Sequence, residues 1–386
     1  MKLSKRASQL ETSPTRKLYD MAKQYNDVIN LTLGDPDIHP CWEIKKAACD
    51  AIMDGKTRYS SNAGLIELRK IICDNFQDEY GVNVRPEDNV IVTVGGMEAL
   101  YLTFTALLDS EDEIIVLAPY YVNYVQMIKL CGGTPVVINA FANTGFRHSI
   151  VEIKEAITEK TVAIVLNSPS NPTGVELDSS LLDDIAEIAI EHDLVVISDE
   201  VYRTILYDNK AHDSIIKRPH MQERTVLIDS VSKRFAMTGY RLGYAMAPKN
   251  IIESMVRLQE NVCACAPLPS QYAAICAYKE HRNDKEICKI YEERRDYLIR
   301  AISNIEKIKC VKPDGTFYLF INISETGMDC TEFAYKLLKQ EHVAVVPGVA
   351  YGEAYSEYIR IAYTLEISGL REAVRRLKYF IEHTNL

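Results

Sequence analysis

Short runs of consecutive apolar residues, many of them β-branched, recur along the first two thirds of the chain. Such runs are typical of strands buried on both faces of a sheet, whereas half-exposed strands alternate apolar and polar positions. The runs lie at 90–94, 113–117, 135–139, 162–166, 194–198, 225–229 and 242–246. Amphipathic segments with helical spacing, such as 181–192, lie between them. This alternation predicts an α/β domain with a mostly parallel seven-stranded sheet flanked by helices.

The pattern changes beyond about residue 271, where charged residues at helical spacing predict a helix over 285–306. Strand-like segments at 316–323 and 343–347 and a helix over 368–383 follow. The first 45 residues contain a helix candidate at 14–24 and an apolar stretch at 28–33, which are too few to form a domain. Because 386 residues exceed a single core, we expect a large domain over 46–270. A small α+β domain would combine residues 1–45 and 271–386.

Composition and charge exclude several classes of function. The net charge of −10 comes without a basic block, so a nucleic-acid partner is not expected. No run approaches the roughly 18 apolar residues of a membrane span, and no apolar run follows the charged N-terminus as in a secretory signal. The ten cysteines are scattered, which favours reduced thiols in the cytoplasm. The one close pair, Cys263 and Cys265, is more typical of small packing residues than of a metal site, and we predict no bound metal.

Lys233 is the first candidate for chemistry, since it lies just beyond the apolar run 225–229. Ligands of open α/β sheets gather at the carboxyl ends of the strands. A lone lysine there is usually a solvated loop residue, but Ser230, Ser232 and Arg241 lie close in sequence. Small hydroxyls and a guanidinium are the groups that a phosphate monoester needs. A lysine amine held in such a cavity can attack a carbonyl carbon.

Other strand ends carry further candidates. Asp199 and Tyr202 follow the run 194–198, where a carboxylate often only caps a helix. The segment 167–174, Asn-Ser-Pro-Ser-Asn-Pro-Thr-Gly, is by itself typical of a tight loop. Two glycines after the run 90–94 lead into a helix, an arrangement that suits a phosphate. The glycines do not form Gly-x-Gly-x-x-Gly, which disfavours a nicotinamide-dependent dehydrogenase.

These segments together resemble a known family. The stretch 230–243 has the form Ser-x-Ser-Lys-x-x-x-x-x-Gly-x-Arg-x-Gly, and with 167–174 it is similar to the class I and II aminotransferases. Those are pyridoxal-phosphate-dependent enzymes of fold type I. The resemblance runs from Leu33-Gly-Asp-Pro-Asp to Arg360. It implies that the large domain binds pyridoxal 5′-phosphate and that the chain forms a homodimer with active sites at the subunit interface.

The resemblance implies a role for each residue around the cofactor ring. Lys233 would be the Schiff-base lysine and proton carrier. Asp199 would pair with the pyridinium nitrogen and keep the ring an electron sink. Tyr202 and Asn171 would face the phenolic oxygen, and Tyr121 would stack on the ring.

The remaining roles concern the phosphate and the substrate. The resemblance assigns the phosphate to the backbone amides of Gly96 and Met97, to Ser230 and Arg241, and to Tyr59 of the neighbouring subunit. Arg360 lies in an apolar strand-like run where an unpaired guanidinium would be costly. It would bind the α-carboxylate of the amino acid together with Gly34 and Asn171.

The implied activity is a ping-pong transfer of an amino group between an L-amino acid and a 2-oxo acid. One bacterial aspartate-aminotransferase branch has a lysine at the position of Met97, which is apolar here. A neutral or aromatic substrate, or broad specificity, is therefore favoured. The same machinery also suits a lyase, a cyclase or a decarboxylase. A non-catalytic ligand-sensing module is a further alternative, which the intact Lys233, Asp199 and Arg360 disfavour.

Overall fold

The computed structural model describes residues 4, 8, 18, 20–281 and 285–383. Its largest sheet has seven strands in the order β2-β8-β7-β6-β5-β3-β4. These strands are β2 (Val90–Thr93), β3 (Glu113–Ala118), β4 (Thr134–Asn139), β5 (Thr161–Asn167), β6 (Val195–Asp199), β7 (Thr225–Ser230) and β8 (Gly243–Met246). Six of the strands run in the same direction, and β8, between β2 and β7, runs in the opposite direction. The predicted mostly parallel seven-stranded sheet is confirmed.

Six of the strands are buried on both faces, as their continuous apolar runs predict. The edge strand β4 is the exception, since several of its residues, Val137 among them, are exposed. Val196 and Ile197, which are successive residues of β6, pack into separate apolar clusters on opposite sides of the sheet. The helices between residues 42 and 281 are α1 (Trp42–Met53), α2 (Ile66–Tyr80), α3 (Pro86–Asn89), α4 (Gly95–Leu107), α5 (Asn123–Cys131), α6 (Ile150–Glu155), α7 (Ser179–Glu191), α8 (Val231–Arg234), α9 (Lys249–Val262) and α10 (Leu268–Glu280). The amphipathic segment predicted at 181–192 thus corresponds to α7.

A second set of elements follows α10. It comprises α11 (Glu286–Ile302), β9 (Lys309–Cys310), β10 (Tyr318–Asn322), α12 (Cys330–Glu341), β11 (Val343–Ala344), β12 (Val346–Pro347), β13 (Tyr358–Ala362) and α13 (Ile367–His383). Four of these strands form an antiparallel sheet in the order β12-β13-β10-β9. The separate β1 (Ile29–Asn30) pairs in parallel with β11.

One apolar cluster joins the two ends of the chain. It contains Leu18 and Leu31 together with many residues from 291 to 381. This packing supports the proposed small domain of 1–45 and 271–386, which stays a prediction. The segment expected to be one strand at 343–347 is instead two short strands, because β11 pairs with β1 and β12 pairs with β13. Within the helix predicted at 14–24, residues 18 and 20–22 are helical and 23–24 form a turn, while 14–17 and 19 lie outside the described residues.

No helix in the described parts of the chain is both long enough and apolar enough to cross a bilayer.

Candidate active site

A cavity of about 710 Å³ lies at one edge of the seven-stranded sheet. The strands β5, β6 and β7 run in parallel, so their carboxyl ends meet at this edge. The loops after them bring Asn171, Tyr202 and Lys233 to the cavity wall. The first residues of α4 and the strand β13 complete the wall. The chain thus collects polar groups where open α/β sheets bind ligands.

Lys233 lies in the short helix α8, one turn beyond the end of β7. Its Nζ donates a hydrogen bond of 2.6 Å to the carbonyl oxygen of Gly34. Burial, opposed by the charge of Asp35 and assisted by those of Arg360 and Arg241, lowers the pKa of the Lys233 amine to about 8. The lowered pKa increases the fraction of neutral amine near neutral pH, and only the neutral amine is a nucleophile or a base.

Asp199 ends β6 and is buried at the floor of the cavity, with 4% of its surface exposed. Burial raises the pKa of its carboxyl to about 6. The hydroxyl of Tyr124, on α5, donates a hydrogen bond of 2.5 Å to Oδ2 of Asp199 and opposes that rise. The residues after Asp199 form a turn rather than a helix, so the carboxylate does not cap a helix. A buried carboxylate held this way suits a cationic partner.

Tyr202 and Tyr318 both line the cavity, and their hydroxyl oxygens are 2.9 Å apart, within hydrogen-bonding distance. The Tyr318 hydroxyl also lies against the backbone of Gly34. A Cβ placed on Gly34 would be 1.7 Å from that oxygen, so no other residue fits without displacing the ring. Gly34 therefore allows the segment before α1 to approach both Tyr318 and Lys233.

The opposite side of the cavity is rich in groups that bind anions. The N-terminus of α4 contributes Gly95 and Gly96, and a Cβ on Gly95 would lie 2.8 Å from a guanidinium nitrogen of Arg241. The hydroxyls of Ser230 and Ser232 are 2.8 Å apart and line the same cavity. A helix N-terminus, two hydroxyls and a guanidinium together suit a phosphate group.

Arg360 is central in β13 and buried, with 5% of its surface exposed. It donates to Oδ1 of Asn171 at 3.3 Å and to the carbonyl oxygen of Thr32. Its guanidinium lies 4.3 Å from the centre of the Tyr318 ring. Its Nε has no hydrogen-bond partner within the described residues. A buried guanidinium with an unused donor can donate a hydrogen bond to a carboxylate that enters the cavity.

The structure brings together nearly all of the residues predicted for the site. Gly34, Gly96, Met97, Tyr121, Asn171, Asp199, Tyr202, Ser230, Lys233, Arg241 and Arg360 line the one cavity. Tyr59 does not line it, and 87% of its surface is exposed. Its expected contact with a neighbouring subunit stays a prediction. Cys263 donates to Glu98 at 2.9 Å, and all ten cysteines are free thiols.

Sequence reasoning missed several residues of the cavity wall. Tyr124 and Tyr351 were not recognised, and Tyr318 was predicted only as part of the strand-like segment 316–323. Asn123 was also not recognised; its amide donates to the hydroxyl of Tyr121 at 2.9 Å. The aromatic-rich stretch 119–124 was the available signal for Tyr124, since its second, third and sixth residues are tyrosines.

A buried ion pair, also missed, supports the turn that follows β6. Glu200 is fully buried next to Asp199, and its carboxylate lies 3.1 Å from Nε2 of His212. Nδ1 of His212 lies 2.9 Å from Glu176. Although burial opposes it, the charge of Glu200 raises the pKa of His212 to about 9. His212 is therefore a cation at neutral pH that neutralises the carboxylate beside Asp199.

Comparisons with known proteins agree with this geometry. The family model described as "Aminotransferase class I and II" matches residues 26–377. An aspartate aminotransferase of Pyrococcus abyssi is 38% identical over the whole of both chains. An aromatic-amino-acid aminotransferase of Thermococcus litoralis is 36% identical, again over the whole of both chains. The solved structure of an aspartate aminotransferase from Thermus thermophilus with maleate superposes with a TM-score of 0.93, at 35% identity, covering 98% of this chain and 99% of that one.

Proposed function

The chain belongs to the class I and II aminotransferases, and we propose that it uses pyridoxal 5′-phosphate bound in the cavity around Lys233. The observation that carries the proposal is that one cavity brings the Lys233 amine together with two kinds of group. These are a buried carboxylate, Asp199, and a phosphate-type donor set. A cofactor with a cationic ring nitrogen and a phosphate matches both.

The residues present fit the cofactor. Gly95 and Gly96 leave the N-terminus of α4 open to a phosphate, and a Cβ on Gly95 would fill the space beside Arg241. Ser230 adds its hydroxyl, and the backbone amides of Gly96 and Met97 would bind the same phosphate. When bound, the cofactor supplies an electron sink for the pair left on the substrate when its Cα–H bond breaks.

Each residue near the ring has a distinct task. Asp199 would pair with the ring nitrogen, and Tyr124 holds its carboxylate in place. Tyr202 would donate to the ring oxygen and is itself positioned by Tyr318. Asn171 would bind the same oxygen, and Tyr121 would supply an aromatic face for the ring. Lys233 would hold the cofactor through its amine.

Lys233 is also the base of the reaction. Once an amino acid has displaced it, its Nζ removes the proton from the substrate Cα. A pKa lowered to about 8 suits this step, because the amine can both take up and return a proton near neutral pH. The hydrogen bond to the Gly34 carbonyl keeps Nζ in the cavity when it is free.

Arg360 binds the α-carboxylate of the amino acid or of the 2-oxo acid. Its Nε is available, and Asn171 and Thr32 fix its other nitrogens. Among the described residues that line the cavity, the cations are Lys233, Arg241 and Arg360, and each already has a task. No further cation of this part of the chain remains for a second carboxylate. We therefore propose substrates with neutral or aromatic side chains, which the apolar Met97 also favours.

The active enzyme is proposed to be a homodimer in the cytoplasm. The segment near Tyr59 packs against the end of α9, since Gln259 donates to the Asn62 carbonyl. Both Tyr59 and Val262, at 87% and 53%, are exposed there. Exposed apolar side chains in one region support a subunit contact that carries Tyr59 to the neighbouring phosphate site. The ten free thiols support a reducing compartment.

Borohydride reduction of the holoenzyme tests the cofactor assignment. Reduction should fix one pyridoxyl group per chain on the tryptic peptide that contains Lys233. A Lys233→Ala variant should carry none, while Lys249→Arg, at an exposed lysine, should be labelled like the wild type. Label on a different lysine, or none on the wild type, would refute the proposal.

A further inference from the structure

Three side chains that commonly bind metals converge outside the active site, where two helices meet. Cys41 immediately precedes α1, Glu43 lies in its first turn, and His281 follows the last residue of α10. Cys41 Sγ is 3.1 Å from Nε2 of His281. That nitrogen is 4.0 Å from a carboxylate oxygen of Glu43. Against the expectation from the sequence of no bound metal, we propose that this cluster, Cys41–Glu43–His281, is a binding site for Zn²⁺.

The donor atoms have suitable chemistry and spacing. Thiolate, imidazole and carboxylate are the ligands that Zn²⁺ takes in proteins. Zinc–ligand bonds of roughly 2.0–2.3 Å in a tetrahedron put the donor atoms roughly 3.4–3.6 Å apart. The distances of 3.1 and 4.0 Å lie on either side of that range, and all three atoms are within 4.8 Å of one another. Small side-chain rotations would therefore close the site around the ion.

The cluster is accessible to an ion from solvent. The Glu43 side chain is 53% exposed and that of His281 is 23% exposed. On binding, the Cys41 thiol releases its proton to solvent and coordinates as thiolate, while water takes the fourth position. Within the residues that the structure describes, this is the one group of three such side chains with converging ligand atoms.

The location gives the ion a structural consequence. Cys41 and His281 are 240 residues apart in sequence, so a shared ion would fasten the start of α1 to the end of α10. The segment leading into α1 contains Gly34 and Asp35, which line the active-site cavity. Zn²⁺ would therefore fix one end of a segment that contacts Lys233. Binding to the folded state alone also raises its stability by mass action.

Metal titration of the holoenzyme tests the proposal. Co²⁺ replaces Zn²⁺, and its long-wavelength d–d absorption reports a four-coordinate site beyond the cofactor's own bands. The wild type should give a saturable signal with one equivalent of Co²⁺, which Zn²⁺ abolishes. Cys41→Ser and His281→Gln should each weaken binding more than about tenfold. Zn²⁺ should raise the melting temperature of the wild type and leave that of both variants unchanged.

Matched controls use neighbouring residues of the same types. Cys49→Ser removes an exposed thiol on α1, and His39→Gln removes an exposed imidazole near its start. Both should bind Co²⁺ like the wild type. Equal Co²⁺ affinity in Cys41→Ser, His281→Gln and the wild type would overturn the proposal, as would a wild type without a saturable signal. If Cys41→Ser does not fold, His281→Gln decides the question alone.

Discussion

Replacing Tyr124 with phenylalanine isolates the hydrogen bond that holds Asp199 in place. The Tyr124 hydroxyl donates to Oδ2 of Asp199 at 2.5 Å, and both groups are buried. The bond stabilises the charged carboxylate and so limits the rise caused by burial, which leaves the pKa of Asp199 at about 6. Phenylalanine keeps the ring and removes only the donor, so the pKa of Asp199 should rise further.

The size of the effect follows from the strength of the bond. A hydrogen bond to a charged group contributes about 1.5–3 kcal/mol. Since 1.36 kcal/mol corresponds to one pH unit, the midpoint at which Asp199 gains its proton should move up by about one to two pH units. The carboxylate is charged above its pKa, so its pairing with the cofactor's ring nitrogen is lost as the pH falls. In the variant this loss begins at a higher pH.

The assay is the dissociation constant of pyridoxal phosphate from the apo-protein, measured between pH 5 and 9 and compared with the wild type. The ratio of the two constants should be largest near neutral pH and should fall as both carboxylates become charged. Tyr278→Phe is a matched control, because that buried tyrosine donates to Tyr244 and not to Asp199. A Tyr124→Phe protein that melts normally and has the wild-type pH profile would refute the reasoning.

Two further predictions concern Arg360 and His212. Arg360→Lys cannot bind a carboxylate with two parallel bonds, so kcat/KM for the amino acid should fall about ten- to a hundredfold in steady-state assays, with cofactor affinity unchanged. His212→Gln leaves Glu200 buried without its cation, which should cost about 3–5 kcal/mol of unfolding free energy. Because the folded pKa of His212 is raised, its contribution is complete below the unfolded value of about 6.5 and is lost as the pH rises through about 9. The gap in melting temperature between wild type and variant should therefore narrow over that range.

Each of these predictions has an opposing result. Equal loss of cofactor and substrate affinity in Arg360→Lys would place the residue at the cofactor and not at the α-carboxylate. A surface change such as Arg375→Lys serves as its control. For His212→Gln, a difference in melting temperature that is constant from pH 6 to 9 would mean that packing, and not the ion pair with Glu200, stabilises the turn.

Much of the fold and of the site was predictable because the decisive signals are local in sequence. The seven apolar runs predict strands buried on both faces. All seven strands formed, although the edge strand β4 is partly exposed. Asp199 ends such a strand, and Lys233 and Asn171 follow one closely, so the position of the strand largely determines theirs. Arg360 stood out because a guanidinium inside an apolar run requires a partner.

The features that were missed depend on contacts between distant parts of the chain. Tyr124 and Asp199 are 75 residues apart in sequence. The sequence does not reveal which of Tyr120, Tyr121 and Tyr124, near the start of α5, faces β6. The pairing of Glu200 with His212 depends on the loop that follows the turn. The split at 343–347 also has a tertiary cause, since the two halves pair with different strands. Periodicity alone cannot distinguish one strand from two at such a place.

A single-turnover measurement tests the central claim most directly. The holoenzyme is mixed with an amino acid from a panel of neutral, aromatic and acidic ones, in the absence of any oxo acid, and the products are quantified. We expect one equivalent of the matching 2-oxo acid per active site, no free ammonia or carbon dioxide, and no product from Lys233→Ala. Release of ammonia or carbon dioxide in place of a stoichiometric oxo acid, or turnover by Lys233→Ala, would contradict it.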